Sequence, residues 1–209
     1  MNRLTKLLAV LSLCVTAISC APSTTLVQKW SDPSYQDAPA SSLAIIAISD
    51  TERRIKIWED AFSTALQRAS VKPILGSTLV PTGAAAEEEV LMKAIRESNA
   101  DLVALTRLVS VDREETYIPG STSYYAPASA AYGFYPYYYS SVDVVSTPGY
   151  YQTDKIYTLE TNIYDVGTEK LIWSGVTETV NPETGQDGAT DVATTIVDDM
   201  IKSKILKKK

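Results

Sequence analysis

Three carboxylates stand close together at Asp112, Glu114 and Glu115. Asp112 and Glu114 are two residues apart in a stretch that reads as a strand, so both project from one face about two rises apart. Paired carboxylates ~5–10 Å apart are what acid–base cleavage of a glycan requires. Charged residues at the exposed end of a strand are also ordinary, and nothing nearby in the sequence fixes a substrate. The same two readings apply to Glu87, Glu88 and Glu89. They are either metal ligands or, as preferred, first-turn acids that complement the dipole of the helix they begin. The 209 residues contain no histidine, which removes every His-dependent triad and His metal site. No G-x-S-x-G, P-loop or G-x-G-x-x-G pattern occurs. The chain therefore reads as non-catalytic, with no cofactor and no metal site.

The N-terminus carries a different chemistry. Arg3 and Lys6 precede an apolar run, Leu7 to Ile18. That run is too short for the ~20 residues of a transmembrane helix and suits a signal peptide over residues 1–19. It ends in Thr16-Ala17-Ile18-Ser19-Cys20, which resembles the bacterial lipobox, with Ala17 where a leucine is usual. On that resemblance Cys20 is the lipidation site, acylated with palmitate-type chains, and the protein is a lipoprotein. Bulky Leu13 before Cys14 disfavours cleavage there. The alternative is an ordinary secreted protein in which Cys20 is incidental. Once Cys14 is removed, Cys20 is the sole remaining cysteine, so no internal disulfide can form. Ala21 follows the cysteine where an aspartate would retain the protein at the inner membrane. The expected location is thus the outer membrane, with the domain facing the periplasm and the membrane itself as one partner.

Losing Arg3 and Lys6 from 19 basic residues leaves 17 against 25 acidic, a formal charge of −8. So acidic a chain is a poor partner for phosphate backbones, and no nucleic-acid role is expected. The C-terminal Lys202, Lys204, Lys207, Lys208 and Lys209 suit the end of a helix dipole, or else an anionic lipid or cell-wall acid.

The elements that position these residues follow from periodicity. Residues 20–40, rich in Ser, Thr, Pro and Asp, read as a lipidated tether that reaches at most ~70 Å when extended. A domain is expected over 41–206. Leu43 to Ile48 is a buried strand. Ile55, Trp58, Phe62, Ala65, Leu66 and Ala69 form one face of a helix. Val71 to Leu75 is a strand that Pro73 assigns to an edge. Ala84 to Ser98 is a second helix and Leu102 to Tyr117 a long strand. Lys155 to Val166 and Lys170 to Val180 form a hairpin with period-two alternation, and Asp187 to Leu206 a third helix. The order β-α-β-α-β-β-β-α implies an α+β fold, one mixed sheet with helices packed on it.

Residues 117–152 interrupt this pattern. Ten of the 13 tyrosines lie here and Asp143 is the only charge. Pro119, Pro127, Pro136 and Pro148 argue for a long loop. Its candidate binding residues are Tyr124, Tyr125, Tyr132, Phe134, Tyr135, Tyr137, Tyr138, Tyr139, Tyr150 and Tyr151. Tyrosine offers large contact area at low entropic cost, which suits a protein or glycan partner. Self-association, contact with a membrane interface and a low-complexity insertion with no partner stay open beside it. The segment lacks the sustained alternation of a transmembrane hairpin.

Several stretches together resemble a known family: Trp30-Ser31-Asp32-Pro33-Ser34-Tyr35, a helix with Arg54, Glu59-Asp60, Phe62 and Leu66, then Asn99-Ala100-Asp101-Leu102-Val103, and Leu171-Ile172-Trp173-Ser174-Gly175. These look like a family of proteobacterial outer-membrane lipoproteins, over most of residues 28–180. The element order is also similar to the small periplasmic domains of the curli-secretion lipoprotein, the TolB N-terminal domain and the lipoprotein activators of peptidoglycan synthases. The resemblance implies a non-catalytic interaction or assembly module of the cell envelope. An envelope hydrolase built on Asp112 and Glu114, and a subunit of an oligomeric secretion complex, are the alternatives.

Overall fold

The computed structural model describes residues 23–79, 88–124 and 144–207. Its main body is a six-stranded mixed sheet whose strands lie side by side in the order Thr24–Ser31, Leu171–Val180, Tyr150–Asp165, Leu102–Ile118, Ser42–Ile48 and Lys72–Leu75. In chain order the elements are β1 (Thr24–Ser31), β2 (Ser42–Ile48), α1 (Glu52–Arg68), β3 (Lys72–Leu75), a single helical turn α2 (Gly76–Leu79), α3 (Glu88–Glu97), β4 (Leu102–Ile118), β5 (Ser121–Tyr124), β6 (Val144–Thr147), β7 (Tyr150–Asp165), β8 (Leu171–Val180) and α4 (Gly185–Lys202). β2 pairs in parallel with both β3 and β4, and the remaining pairings are antiparallel. The expected α+β fold with one mixed sheet is what the chain adopts, with β3 at an edge as Pro73 requires.

Two cores form on opposite faces. On one, Leu43 and Ile45 of β2, Leu102 and Ala104 of β4, Ile163 of β7 and Trp173 of β8 meet α1 and α4. α1 supplies Trp58, Phe62, Ala65 and Leu66, a stripe with the 3.6-residue period, and α4 supplies Val192, Ala193, Ile196 and Met200. On the other, Ala44 and Val103 meet Ile95 of α3, which covers only the β2–β4 side. Glu59, 2% exposed on α1, is held by Ser77, whose backbone N–H and hydroxyl donate at 2.7 and 2.5 Å. That contact fastens α2 to the body.

The tether expected over residues 20–40 is corrected. Thr24–Ser31 is an edge strand on β8, and Ala40 bridges to Leu206. Composition misled because the one buried residue of this strand is a threonine: Thr24 meets Thr179, its Cα partner, through a buried hydroxyl contact of 2.7 Å. A buried threonine pair gives no apolar alternation to read. Ser23 is already bonded, its carbonyl accepting from the Val180 N–H at 2.9 Å. Only Ala21 and Pro22 lie between it and Cys20, so a tether from an anchor on Cys20 would be roughly three residues of chain, ~10 Å, in place of the expected ~70 Å.

The expected loop over 117–152 is corrected at its base. β4 and β7 stay paired out to Ile118↔Tyr150, and β5 and β6 continue as a second ladder from Ser121↔Thr147 to Tyr124↔Val144. Pro119-Gly120 and Pro148-Gly149 therefore mark a break between two ladders, where proline can supply no N–H, and they do not end the ribbon.

Candidate functional site: an aromatic arm and the cleft at its base

The arm arises because β4 and β7 outrun their neighbours. β2 pairs with β4 only as far as Ile48↔Arg107, and β8 pairs with β7 only from Ile156↔Val180 inward. Beyond these points β4 runs eleven residues further, Leu108 to Ile118, or roughly 35 Å at about 3.4 Å per residue. A bulge between Leu108 and Ser110 marks the departure from the sheet, the position where a bulge re-aims a strand. The lower arm is charged. Arg113 is the partner of Lys155 across one face, and Glu114 of Asp154 across the other. Tyr117 and Tyr151 face each other at the top with ring centroids 5.2 Å apart, and both are exposed. Past the Pro-Gly break the ladder is uncharged.

Of the candidate binding residues, Tyr150 and Tyr151 lie on β7, and Tyr124 closes the β5–β6 ladder opposite Val144. Tyr125, Tyr132, Phe134, Tyr135, Tyr137, Tyr138 and Tyr139 lie outside the described residues, as does Cys20. Asp112 and Glu114 do share a face, as their spacing required, but on the open arm. The Asp112 carboxylate accepts from the Ser110 hydroxyl at 2.6 Å, and Glu114 stands exposed. Neither lines a cleft. Among the described residues no group of three Cys, His, Asp or Glu could hold a metal ion.

The arm and the start of the chain leave the sheet at the same end. Thr24 pairs with Thr179, one residue before β8 ends at Val180, while β4 and β7 project past that level. Lys204 and Lys207, after α4, lie at the opposite end. Lys207 donates its N–H to the Ala40 carbonyl at 3.1 Å, next to the beginning of β2. They are thus held away from the membrane that an anchor on Cys20 would face.

At the base of the arm, on the face that carries α1 and α4, opens a cleft of about 560 Å³ that sequence reasoning missed. Its floor is sheet: Ala47, Thr106, Leu108, Tyr157, Leu159 and Thr179. Its walls are the N-terminal ends of α1, with Ile57 and Trp58, and of α4, with Gly188, Ala189 and Val192. These come from six elements far apart in sequence, so no local motif could announce them. Small residues at Gly188 and Ala189 keep α4 from filling the space. Trp58 is 7% exposed, and its indole N–H is buried with no acceptor.

Three of the four charged residues at the rim are already paired. The Arg54 guanidinium donates to Asp50 at 3.0 Å, and Arg107 Nε donates to Glu160 at 2.7 Å. The hydroxyl of Thr51, then the Asp50 amide and the Arg54 charge, hold the Asp50 carboxyl below the usual range. On the arm side, hydrogen bonds from Gln152 and Asn181 do the same for Asp154.

No protein-family profile and no curated protein matches this chain. Among solved structures it overlaps the PelC dodecamer from Paraburkholderia phytofirmans, with TM-score 0.45 and 13% identity over 89% of this chain and 99% of that one. Lipoprotein GNA1162 from Neisseria meningitidis gives TM-score 0.37 and 14% identity over 78% of this chain and 99% of that one. A PDZ domain protein from Parabacteroides distasonis gives 0.32 and 10%, over 78% and 32%. These overlaps are loose, and the reading of the chain rests on its own geometry.

Proposed function

We propose that this protein is a lipid-anchored, non-catalytic interaction module of the cell envelope, and that its contact element is the aromatic arm. One observation carries the reading: arm and chain start leave the same end of the sheet. With Cys20 acylated, the folded body is held within a few residues of the bilayer. An arm reaching some tens of ångströms past that end meets its partner at the membrane surface. The charged stem suits water, and the uncharged, tyrosine-rich end suits the headgroup layer and the proteins or glycans found there. No transmembrane helix is needed, and no helix among the described residues is long and apolar enough to be one. The outer membrane, with the body in the periplasm, is the compartment that Ala21 favours.

The test is to delete residues 120–150 and compare what cross-links to the acylated chain in intact envelopes. The expected outcome is loss of a defined set of surface partners, with the body still folded. An unchanged cross-linking profile overturns the role given to the arm.

A second reading, an oligomeric secretion subunit, is favoured by one further feature. Past Arg107 on β4 and before Ile156 on β7, neither outer edge of the ribbon is paired by the main sheet. Such edges can pair between copies. A large ring in detergent supports this version, and a monomer by light scattering removes it.

A further inference from the structure

The cleft at the base of the arm has a chemistry that the interaction role does not use. Its floor is apolar except for the hydroxyls of Thr106, Thr179 and Tyr157, and the two threonines are satisfied: Thr106 bonds Thr161 at 2.9 Å, and Thr179 bonds Thr24 at 2.7 Å. Both cations at its rim are neutralised, Arg54 by Asp50 and Arg107 by Glu160. An anionic ligand would therefore find little there to bind. What remains is a largely apolar trough, floored by Ala47, Leu108 and Leu159 and walled by Ile57, Ala189 and Val192. Its volume, about 560 Å³, lies within the ~300–1,000 Å³ of ligand pockets. The matching ligand is a flexible hydrocarbon chain, which an acyl chain supplies.

The course of the chain says where such a ligand comes from. Thr179 lines the cleft and is the register partner of Thr24. Ser23 is bonded to Val180 through its carbonyl and to Asp191 of α4 through its hydroxyl, at 2.9 and 2.7 Å. Cys20 is four residues from Thr24, so its sulfur and amino group lie within ~14 Å of it by chain length. We propose that the cleft is an intramolecular acyl-chain site, occupied by one of the acyl chains on Cys20 while the others hold the bilayer. This rests on Cys20 being acylated. Withdrawal of one chain makes the anchor weaker and more reversible, since stable attachment takes two lipid signals.

The test uses the full-length chain, produced in cells fed a palmitate analogue bearing a photoreactive diazirine. Intact mass first reports whether Cys20 is acylated; an unmodified cysteine removes the anchor reading, and this proposal with it. On acylated protein, photolysis is expected to cross-link the label within the same chain, to peptides containing Leu108, Tyr157 or Val192. An Ala189→Trp variant, which fills the trough, is expected to lose those cross-links while its thermal melt stays close to the parent; Val192→Phe serves if that variant does not fold. Labelled acyl chains that cross-link only to bilayer lipid overturn the proposal even where acylation is confirmed. So does a Cys20→Ser chain that takes up added palmitate when the acylated chain shows no internal cross-link, because the site then serves exogenous lipid.

Discussion

Thr24 and Thr179 share a buried hydrogen bond of 2.7 Å between their hydroxyls, and this contact ties the first strand to the strand that feeds the cleft. The two residues are 4% and 2% exposed. Thr24→Val leaves the Thr179 hydroxyl buried without a partner and is expected to cost about 1–2 kcal/mol, whereas replacing both partners with valine recovers most of that loss. Urea denaturation of a chain beginning at residue 21 measures both. Purely additive losses would show that the hydroxyls are not coupled.

Gly175 is fixed by a neighbour two residues back on the same strand face. A Cβ at Gly175 would run into the Trp173 indole and the Leu26 side chain. Trp173 cannot yield easily, because it is fully buried and its Nε1 donates to Asp199 at 3.0 Å. Gly175→Ala is therefore expected to destabilise by about 1–3 kcal/mol, the usual cost of overpacking, and to alter the near-ultraviolet circular dichroism of the buried indole. An alanine variant with parental stability and spectrum would mean that the strand moves aside without cost.

These two residues also show why the fold was more legible than the site. Apolar periodicity identified β2, α1 and α4 because their inward positions are aliphatic or aromatic, and alternation identified the β7–β8 hairpin. β1 escaped because its buried contact is a threonine pair. The arm was partly hidden because its exposed residues need no hydrophobic pattern, while its prolines and glycines imitate the end of a strand. The stretches that resemble a lipoprotein family proved to be structural. Asp32 accepts from the Ser34 N–H and hydroxyl in a turn, Asp101 receives the start of β2, and Trp173-Ser174-Gly175 packs one indole. The cleft depends on where six elements converge, which no local spacing encodes.

Asp101 gives a pH signature. Its Oδ2 accepts from the Ser41 N–H, the Ser41 hydroxyl and the Ser42 N–H at 2.8, 3.0 and 2.9 Å. Burial pushes its carboxyl upward, but the bonds from Ser41 and Ser42 together outweigh that and hold it below the usual value. A carboxyl depressed on folding stabilises fully above the unfolded Asp pKa of about 3.9, and that contribution is lost as pH falls through the lower folded value. Asp101→Asn is expected to cost about 1–2 kcal/mol at neutral pH, a range reduced for its solvent exposure. The deficit should shrink as the parent is acidified from roughly pH 5 to pH 2. A deficit that is constant over that range would assign the loss to packing alone.

The arm should behave as a separate unit of stability. From Ser110 to Ile118 its backbone bonds have β7 on one side only, whereas Leu102 to Arg107 lie between β2 and β7. Hydrogen exchange follows such local differences in burial and pairing, so the arm amides should exchange well before those of the central sheet. The contact between Tyr117 and Tyr151 is the main side-chain support at the upper end, and aromatic pairs contribute about 0.5–1.5 kcal/mol beyond their area. Gly149 belongs to the same contact, since a Cβ there would strike the Tyr117 ring. Replacing both tyrosines with alanine should therefore lower protection at residues 114–118 and 150–154 while leaving 102–106 unchanged, and Gly149→Ala should act in the same direction. If all three regions lost protection together, the arm would be part of the cooperative core, and a partner bound at its tip would stabilise the whole domain.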